Sequence, residues 1–208
     1  MKAFLLLTMG IVCLMGCTSI KTIQVPGYDD GNDTVLHGLS SKSDVNYGAN
    51  PQLAADAWTF SKEPGIIRSL LRFDLSTIPP KATVTKATLS LYAWGKDIGL
   101  GKHASKTGSN EGLLQRVTSS WDENTVTWNT QPTTTSVNEV MLPASTSPDQ
   151  NYVNIDVTAL INDMRKNPSE SFGFMLRLKT EEIYRILNFC SSDHEDHSKH
   201  PKLMVEYK

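Results

Sequence analysis

The chain has 208 residues, a formal net charge of −2, and 39% hydrophobic against 20% charged residues. That length and balance fit one folded domain able to bury its own core, and exclude a disordered or fibrous chain. The lack of net positive charge argues against a non-specific nucleic-acid partner, which demands cations that displace counterions from phosphates.

The chain opens MKAFLLLTMGIVCLMGCTS. Lys2 supplies a positive start, and Ala3 to Met15 is apolar but too short for a permanent membrane span. Leu14-Met15-Gly16-Cys17 resembles a bacterial lipobox, with Met15 a less usual residue at its position. The reading is a lipoprotein signal peptide over residues 1–16 and a lipidated Cys17, whose acyl chains together hold a membrane stably. The plainer alternative is an ordinary signal peptide with Cys17 a bystander. Cys13 leaves with the signal, so Cys190 is the one cysteine of the folded part. No intramolecular disulfide can form there, and Cys190 reads as a buried small residue. Residues 17–32 read as a tether, broken by Pro26, Gly27 and Gly31, and residues 33–208 as one domain without internal repeats.

Alternation dominates the body. In IIRSLLRFDLS, residues Ser69, Leu71, Phe73 and Leu75 face one way and Arg68, Leu70, Arg72 and Asp74 the other. In ATVTKATLSLYAW, residues Ala87, Leu89 and Leu91 face inward, with Thr88, Ser90, Tyr92 and Trp94 outward. YVNIDV sends Val153, Ile155 and Val157 inward. SFGFMLRLK sets Phe172, Phe174, Leu176 and Leu178 against Met175, Arg177 and Lys179. RILNFCSS and KLMVEY add two more strands, and the connections are rich in Gly, Pro, Asn and Ser. DVTALINDMRKNP reads as one short helix with a stripe of Ala159, Leu160, Ile161 and Met164, stopped at Asn167-Pro168. The fold class expected is all-β: a two-sheet antiparallel β-sandwich, of jelly-roll type, with one short helix.

NYGANPQL, SLLRFDLSTIPPKATVTKATLSLYAW, WDENTVTWNTQP, VNIDVTALINDM, SFGFMLRLK and NFCSSDHEDHSKHPKLMVEYK occur in the order seen in the DNRLRE-domain family, which the chain resembles from Asp33 onward. That family is carbohydrate-binding-module-like, and some members bind alginate, a polyuronate. The resemblance implies a β-sandwich, a polysaccharide ligand and a structural calcium ion. Two stretches depart from the family pattern: the long Gly-rich AWGKDIGLGKHASKTGSNEG, and the acidic, His-rich SSDHEDHSKH. Loops set specificity on a shared scaffold.

An anionic sugar needs guanidinium or ammonium groups for its carboxylates and an aromatic ring for its apolar face. The outward faces supply Arg68, Arg72, Tyr92, Trp94, Arg177 and Lys179 as the expected carbohydrate-binding residues. The competing role for Arg72 is a structural ion pair. Trp58 reads as a partly buried anchor in or beside a hairpin loop. In SSWDENTVTWNTQP the two tryptophans read as a plug at the sandwich edge, with Val126 and Trp128 on one strand face and Trp121 at its entry. There Asp122, Glu123 and Thr127 tie the turn. DHEDHSKH, with His194, His197 and His200, reads as a solvated loop, zinc binding being the alternative. Asp29, Asp30, Asn32 and Asp33, and Asp44 with Asn46, offer oxygens of the kind calcium prefers, without EF-hand spacing.

No carboxylate pair or nucleophile–base spacing marks an enzyme, and catalytic residues are none. The expected function is non-catalytic polysaccharide binding at the bacterial cell envelope, lipid-anchored at the outer membrane, beside polysaccharide-degrading enzymes or importers. Two rivals stand: a structural or adhesive envelope lipoprotein, and a jelly-roll polyuronate lyase.

Overall fold

A computed structural model describes residues 32–208 in full and the backbone of Ser19–Gln24. Cys17, the signal-peptide stretch and the candidate ligands Asp29 and Asp30 lie outside the described residues. The strands are β1 (Ser19–Gln24), β2 (Asp33–His37), β3 (Gln52–Phe60), β4 (Glu63–Leu71), β5 (Val84–Leu91), β6 (Ala104–Ser105), β7 (Gly112–Val117), β8 (Thr134–Leu142), β9 (Tyr152–Asp156), β10 (Phe174–Leu178), β11 (Arg185–Cys190) and β12 (Lys202–Tyr207). The helix α1 spans Thr158–Lys166.

One sheet runs β1-β12-β5-β9; the other runs β6-β11-β3-β4-β10-β7-β8, with β2 added against β4. The pairings are antiparallel throughout. The result is the two-sheet antiparallel β-sandwich with one short helix that the alternation predicts. Within the stretch expected as a tether, Ser19–Gln24 form β1 along β12.

The core lies between the sheets. Leu89, Leu91, Leu203 and Val205 of the smaller sheet meet Leu53, Leu71, Phe174, Leu176, Leu187 and Phe189 of the larger. Full burial of each such side chain contributes roughly 1.5–3 kcal/mol. Helix α1 adds Leu160, Ile161 and Met164 to this core, while Ala159, expected in the same stripe, is exposed. Cys190 is buried, its thiol pushed up to about 11 by desolvation, and is chemically quiet.

A second apolar cluster lies outside the larger sheet. Leu36, Leu70, Val117 and Met175 are covered by Trp121 and Val126, with Trp128 and Phe172 against them. The segment between β7 and β8 that carries these tryptophans is a turn-rich lid rather than a strand. Asp122 ties it locally, its Oδ1 accepting from the backbone N of Asn124 at 3.0 Å, and Thr127 N donates to Thr130 Oγ1 at 2.9 Å. Glu123 does not join this local network but reaches the start of β2, where its carboxylate accepts from Asp33 N at 2.8 Å.

Two departures from simple alternation have clear causes. Leu89 pairs with Ile155 but Leu91 pairs with Tyr152, so β9 carries an extra residue against β5. Asn154 absorbs it with φ of 58° and donates its N–H to Ser90 Oγ. The bulge flips the faces: Tyr152 enters the core and Val153, expected inside, is 51% exposed. Gly173, at φ +102°, likewise separates Phe172 from Phe174, so Phe172 joins the outer cluster and Phe174 the core. A Cβ there would lie 2.2 Å from the Leu71 carbonyl oxygen, which only glycine avoids.

Candidate functional site

The six expected binding residues divide into separate groups. Arg68 on β4 and Arg177 on β10 converge on Glu181, in the loop between β10 and β11. Arg68 Nε and Nη2 donate to the two Glu181 oxygens at 2.8 and 2.9 Å, and Arg177 Nη2 lies 3.1 Å from Oε2. Arg68 Nη1 donates to Gln131 Oε1 at 2.7 Å, and its guanidinium sits 4.8 Å above the Trp128 ring. Alternation sets both arginines outward but groups Arg68 with Arg72 rather than with Arg177; the acid that joins Arg68 and Arg177 comes from a loop. Glu181 is 12% exposed in its side chain, so this is a partly buried cluster with two positive charges and one negative.

Arg72 is held elsewhere. Its guanidinium lies 5.1 Å over the Trp121 ring, and Nη2 donates to Asn32 Oδ1. It lines a cleft of about 480 Å3 beside α1, with an apolar wall of Phe73, Met164 and Phe174. Arg165 on the same cleft donates to the carbonyls of Pro79 and Ala82 and so closes the β4–β5 connection. Lys179 pairs with Glu111 at 3.1 Å.

Tyr92 and Trp94 follow β5 and do not touch the arginines. Lys202 Nζ lies 5.1 Å from the Tyr92 ring. Trp94, expected to face out, is 6% exposed: its indole N–H donates to Ile98 O at 3.1 Å and its ring meets His194 edge-on at 5.3 Å. The Gly-rich segment after β5 folds over it. The His-rich stretch is a solvated loop over residues 195–198 but is anchored at both sides of that run. His194 and His200 are buried, and His200 Nε2 lies 2.8 Å from the His194 carbonyl oxygen.

A concave site forms on the larger sheet around a residue the sequence left as a loop anchor. Trp58 lies on β3 rather than in a loop, half-buried, at a cleft of about 470 Å3. The cleft is walled by Trp58 and Phe60, by the segment Gly99–Lys102, and by Lys106. Lys106 Nζ sits 5.0 Å from the Trp58 ring, and Tyr184 meets that ring edge-on at 5.3 Å. Tyr184 has φ of 74°, a left-handed conformation rare for an aromatic residue and kept only where the surroundings hold it. At the floor lies Asp56, 2% exposed, whose Oδ1 has no hydrogen-bond partner. Desolvation pushes its carboxyl up to about 8. Alternation across LAADAWTF is the signal that puts Asp56 and Trp58 on one face.

The loop from Thr180 to Tyr184 touches both places, offering Glu181 to the arginines and Tyr184 to Trp58. A flat indole, a buried carboxyl and an ammonium group around one cleft are the groups that engage a sugar ring, its hydroxyls and an acidic substituent.

A third cluster joins Asp33, Glu123 and Asp193, whose carboxylate oxygens lie within 4.8 Å of one another. Burial pushes all three carboxyls upward, Asp33 to about 8. Asp44 and Asn46 do not contribute: Asp44 Oδ1 accepts from Asn129, and the Asn46 amide donates to the carbonyls of Glu123 and Val126.

No curated protein matches the chain. The family model described as "Carbohydrate-binding module family 96" matches residues 31–207, a span that contains every strand from β2 to β12 and all three clusters. By that match the chain belongs to carbohydrate-binding module family 96.

Proposed function

We infer that the chain holds a carboxylate-bearing polysaccharide at a bacterial cell envelope without cleaving it. The Trp58 cleft carries the inference. An indole stacks on the apolar face of a pyranose, Asp56 Oδ1 is a ready acceptor for a ring hydroxyl, and Lys106 is placed to meet a uronate carboxylate. Arg177 spends only part of its guanidinium on Glu181, and we assign the rest of it to the same ligand as a second cation. The cleft lining carries one carboxyl group, Asp56, whereas glycoside hydrolysis needs two. The lipobox-like Leu14–Cys17 supports the envelope location. Ser19, the first residue of β1, follows Cys17 by two positions, so a lipid on Cys17 would hold the sandwich against the membrane surface.

The test is affinity electrophoresis of the chain from Thr18 onward in gels containing alginate, pectate or a neutral glucan. Trp58→Ala is expected to weaken retention at least tenfold, the scale of a central aromatic anchor, with melting close to that of the parent. Retention of Trp58→Ala equal to the parent's would overturn the site. Retention by no glycan at all would favour a structural or adhesive envelope protein, and unsaturated products from alginate a lyase.

The arginine pair gives a second, discriminating result. Arg177→Ala is expected to weaken retention on alginate severalfold and leave neutral-glucan retention unchanged, because it removes one charge while Arg68 still neutralises Glu181. Arg68→Ala is expected to lower stability by about 2–4 kcal/mol instead, because it strips a partly buried carboxylate of its bidentate partner. Thermal melting of the two variants side by side separates the roles.

A further inference from the structure

Asp33, Glu123 and Asp193 come from three distant parts of the chain: the start of β2, the tryptophan-bearing lid and the loop after β11. Each is fixed by its surroundings. Asp33 is fully buried, its N–H donates to Glu123 Oε1 at 2.8 Å, and its Oδ2 accepts from Ser192 N at 2.9 Å. The main chain of Glu123 is clamped by the Asn46 amide, which donates to its carbonyl oxygen at 2.7 Å. Gly48 also packs so close to that carbonyl that a Cβ there would lie 2.6 Å from it.

Asp33 Oδ1 is buried and makes no well-formed hydrogen bond, and the buried Ser192 hydroxyl lies beside the same carboxyl. Among the described residues, no Lys or Arg forms an ion pair with any of the three acids. Three convergent carboxylates repel one another, and the positive groups near them, Arg72 toward Glu123 and His200 toward Asp193, form no ion pair that would offset the cost of burying them. The donors are oxygen only, which suits a hard divalent cation. Three carboxylates supply three to six oxygens, and water or the Ser192 hydroxyl completes the six to eight that calcium takes at flexible geometry.

We propose that Asp33, Glu123 and Asp193 bind a calcium ion that pins the tryptophan-bearing lid and the loop after β11 to the start of β2. The ion supplies a partner to Asp33 Oδ1 and cancels the repulsion within the triad. It ties together segments that the sheet hydrogen bonds leave separate, and its role is to hold the lid, at a place distinct from the Trp58 cleft.

The experiment takes the chain from Thr18 onward, strips it with EDTA, and titrates calcium chloride, magnesium chloride and zinc chloride separately by calorimetry and by thermal melting. Calcium is expected to bind one ion per chain and to raise the melting temperature by about 5–10 °C at a hundredfold excess over its dissociation constant. Asp193→Asn removes a ligand that is only partly buried and is expected to fold with its melting temperature indifferent to calcium. Trp121 fluorescence, two residues from Glu123, is expected to change on calcium addition to the parent and not to Asp193→Asn. The proposal is overturned if the stripped parent shows neither binding heat nor a melting shift with calcium. It is equally overturned if Asp193→Asn responds as the parent does, or if zinc alone binds. Glycan retention plays no part in these readouts, so their failure leaves the saccharide site untouched.

Discussion

Trp121→Ala is expected to lower the stability of the sandwich by roughly 3–5 kcal/mol, the range for deleting a buried tryptophan. For a chain of this size that is a fall in melting temperature of about 6–20 °C. The cost has three sources. The ring covers Leu36, Leu70, Val117 and Met175 on the outer face of the larger sheet, and its removal opens them to water. Its indole N–H donates to the Phe172 carbonyl at 2.8 Å, which would be left without that donor. The Arg72 guanidinium also loses the ring beneath it, 5.1 Å away, a contact worth about 0.5–2 kcal/mol. Below its melting transition the variant should still be retained by the glycan that the parent binds, since Trp58, Lys106 and Asp56 do not touch Trp121. Melting followed by circular dichroism, with electrophoresis at low temperature, reads both halves. A variant that melts like the parent but loses the glycan would make Trp121 itself the stacking platform.

That contrast between Trp121 and Trp58 marks how far the sequence could be read. Period-2 alternation shows a side chain's face, and it set Arg68 and Arg177 each outward; that they meet follows from the ladder of β4 with β10, in which Met175 pairs with Leu70. It also set Arg72 on the face of Arg68, yet the Arg72 guanidinium turns to Asn32 and Trp121. It failed where the ladder slips. Asn154 inserts one residue into β9 and exchanges Val153 for Tyr152, and nothing in YVNIDV announces that step. Alternation also says nothing of what covers a face. Trp94 points away from the core as expected, yet the Gly-rich segment after β5 folds back over it and takes its indole N–H at Ile98.

The contacts least visible in sequence are those between loops. Glu181, Glu123 and Asp193 acquire their roles only when their loops close on distant strands, Glu123 and Asp33 being 90 positions apart. A local reading assigned Glu123 to its own turn, as Asx and Ser/Thr chemistry would suggest. In the fold Asp122 and Thr127 perform that task, and Glu123 reaches Asp33 instead. The cleft at Trp58 is hidden from the sequence for a similar reason: it exists only because the segment Gly99–Lys102 forms the opposite wall.

Asp56 gives the second large effect, and its direction is fixed by burial. The carboxyl ordinarily titrates at 3.8, and desolvation moves it to about 8 in the folded chain. Between those values the unfolded chain has lost the proton and the folded chain keeps it. Stability contributed at this position therefore falls as pH rises from about 4 to about 8, by a few kcal/mol at most for a shift of that size. Asparagine in its place cannot ionise. Chemical denaturation of the parent and of Asp56→Asn at intervals from pH 4 to pH 8 should show the variant gaining on the parent by up to a few kcal/mol across the range. Its amide imposes a constant offset at every pH, since it brings donors into a site with few acceptors, so the slope of the difference is what decides. Parallel curves would mean that Asp56 ionises freely in the fold. Saccharide should act on the same group. A hydroxyl donating to Oδ1 stabilises the carboxylate, so saturating ligand is expected to flatten the parent's pH dependence, and binding at neutral pH should release protons. Calorimetry in two buffers of different ionisation enthalpy measures that release directly, and a heat independent of buffer would remove Asp56 from the sugar contact.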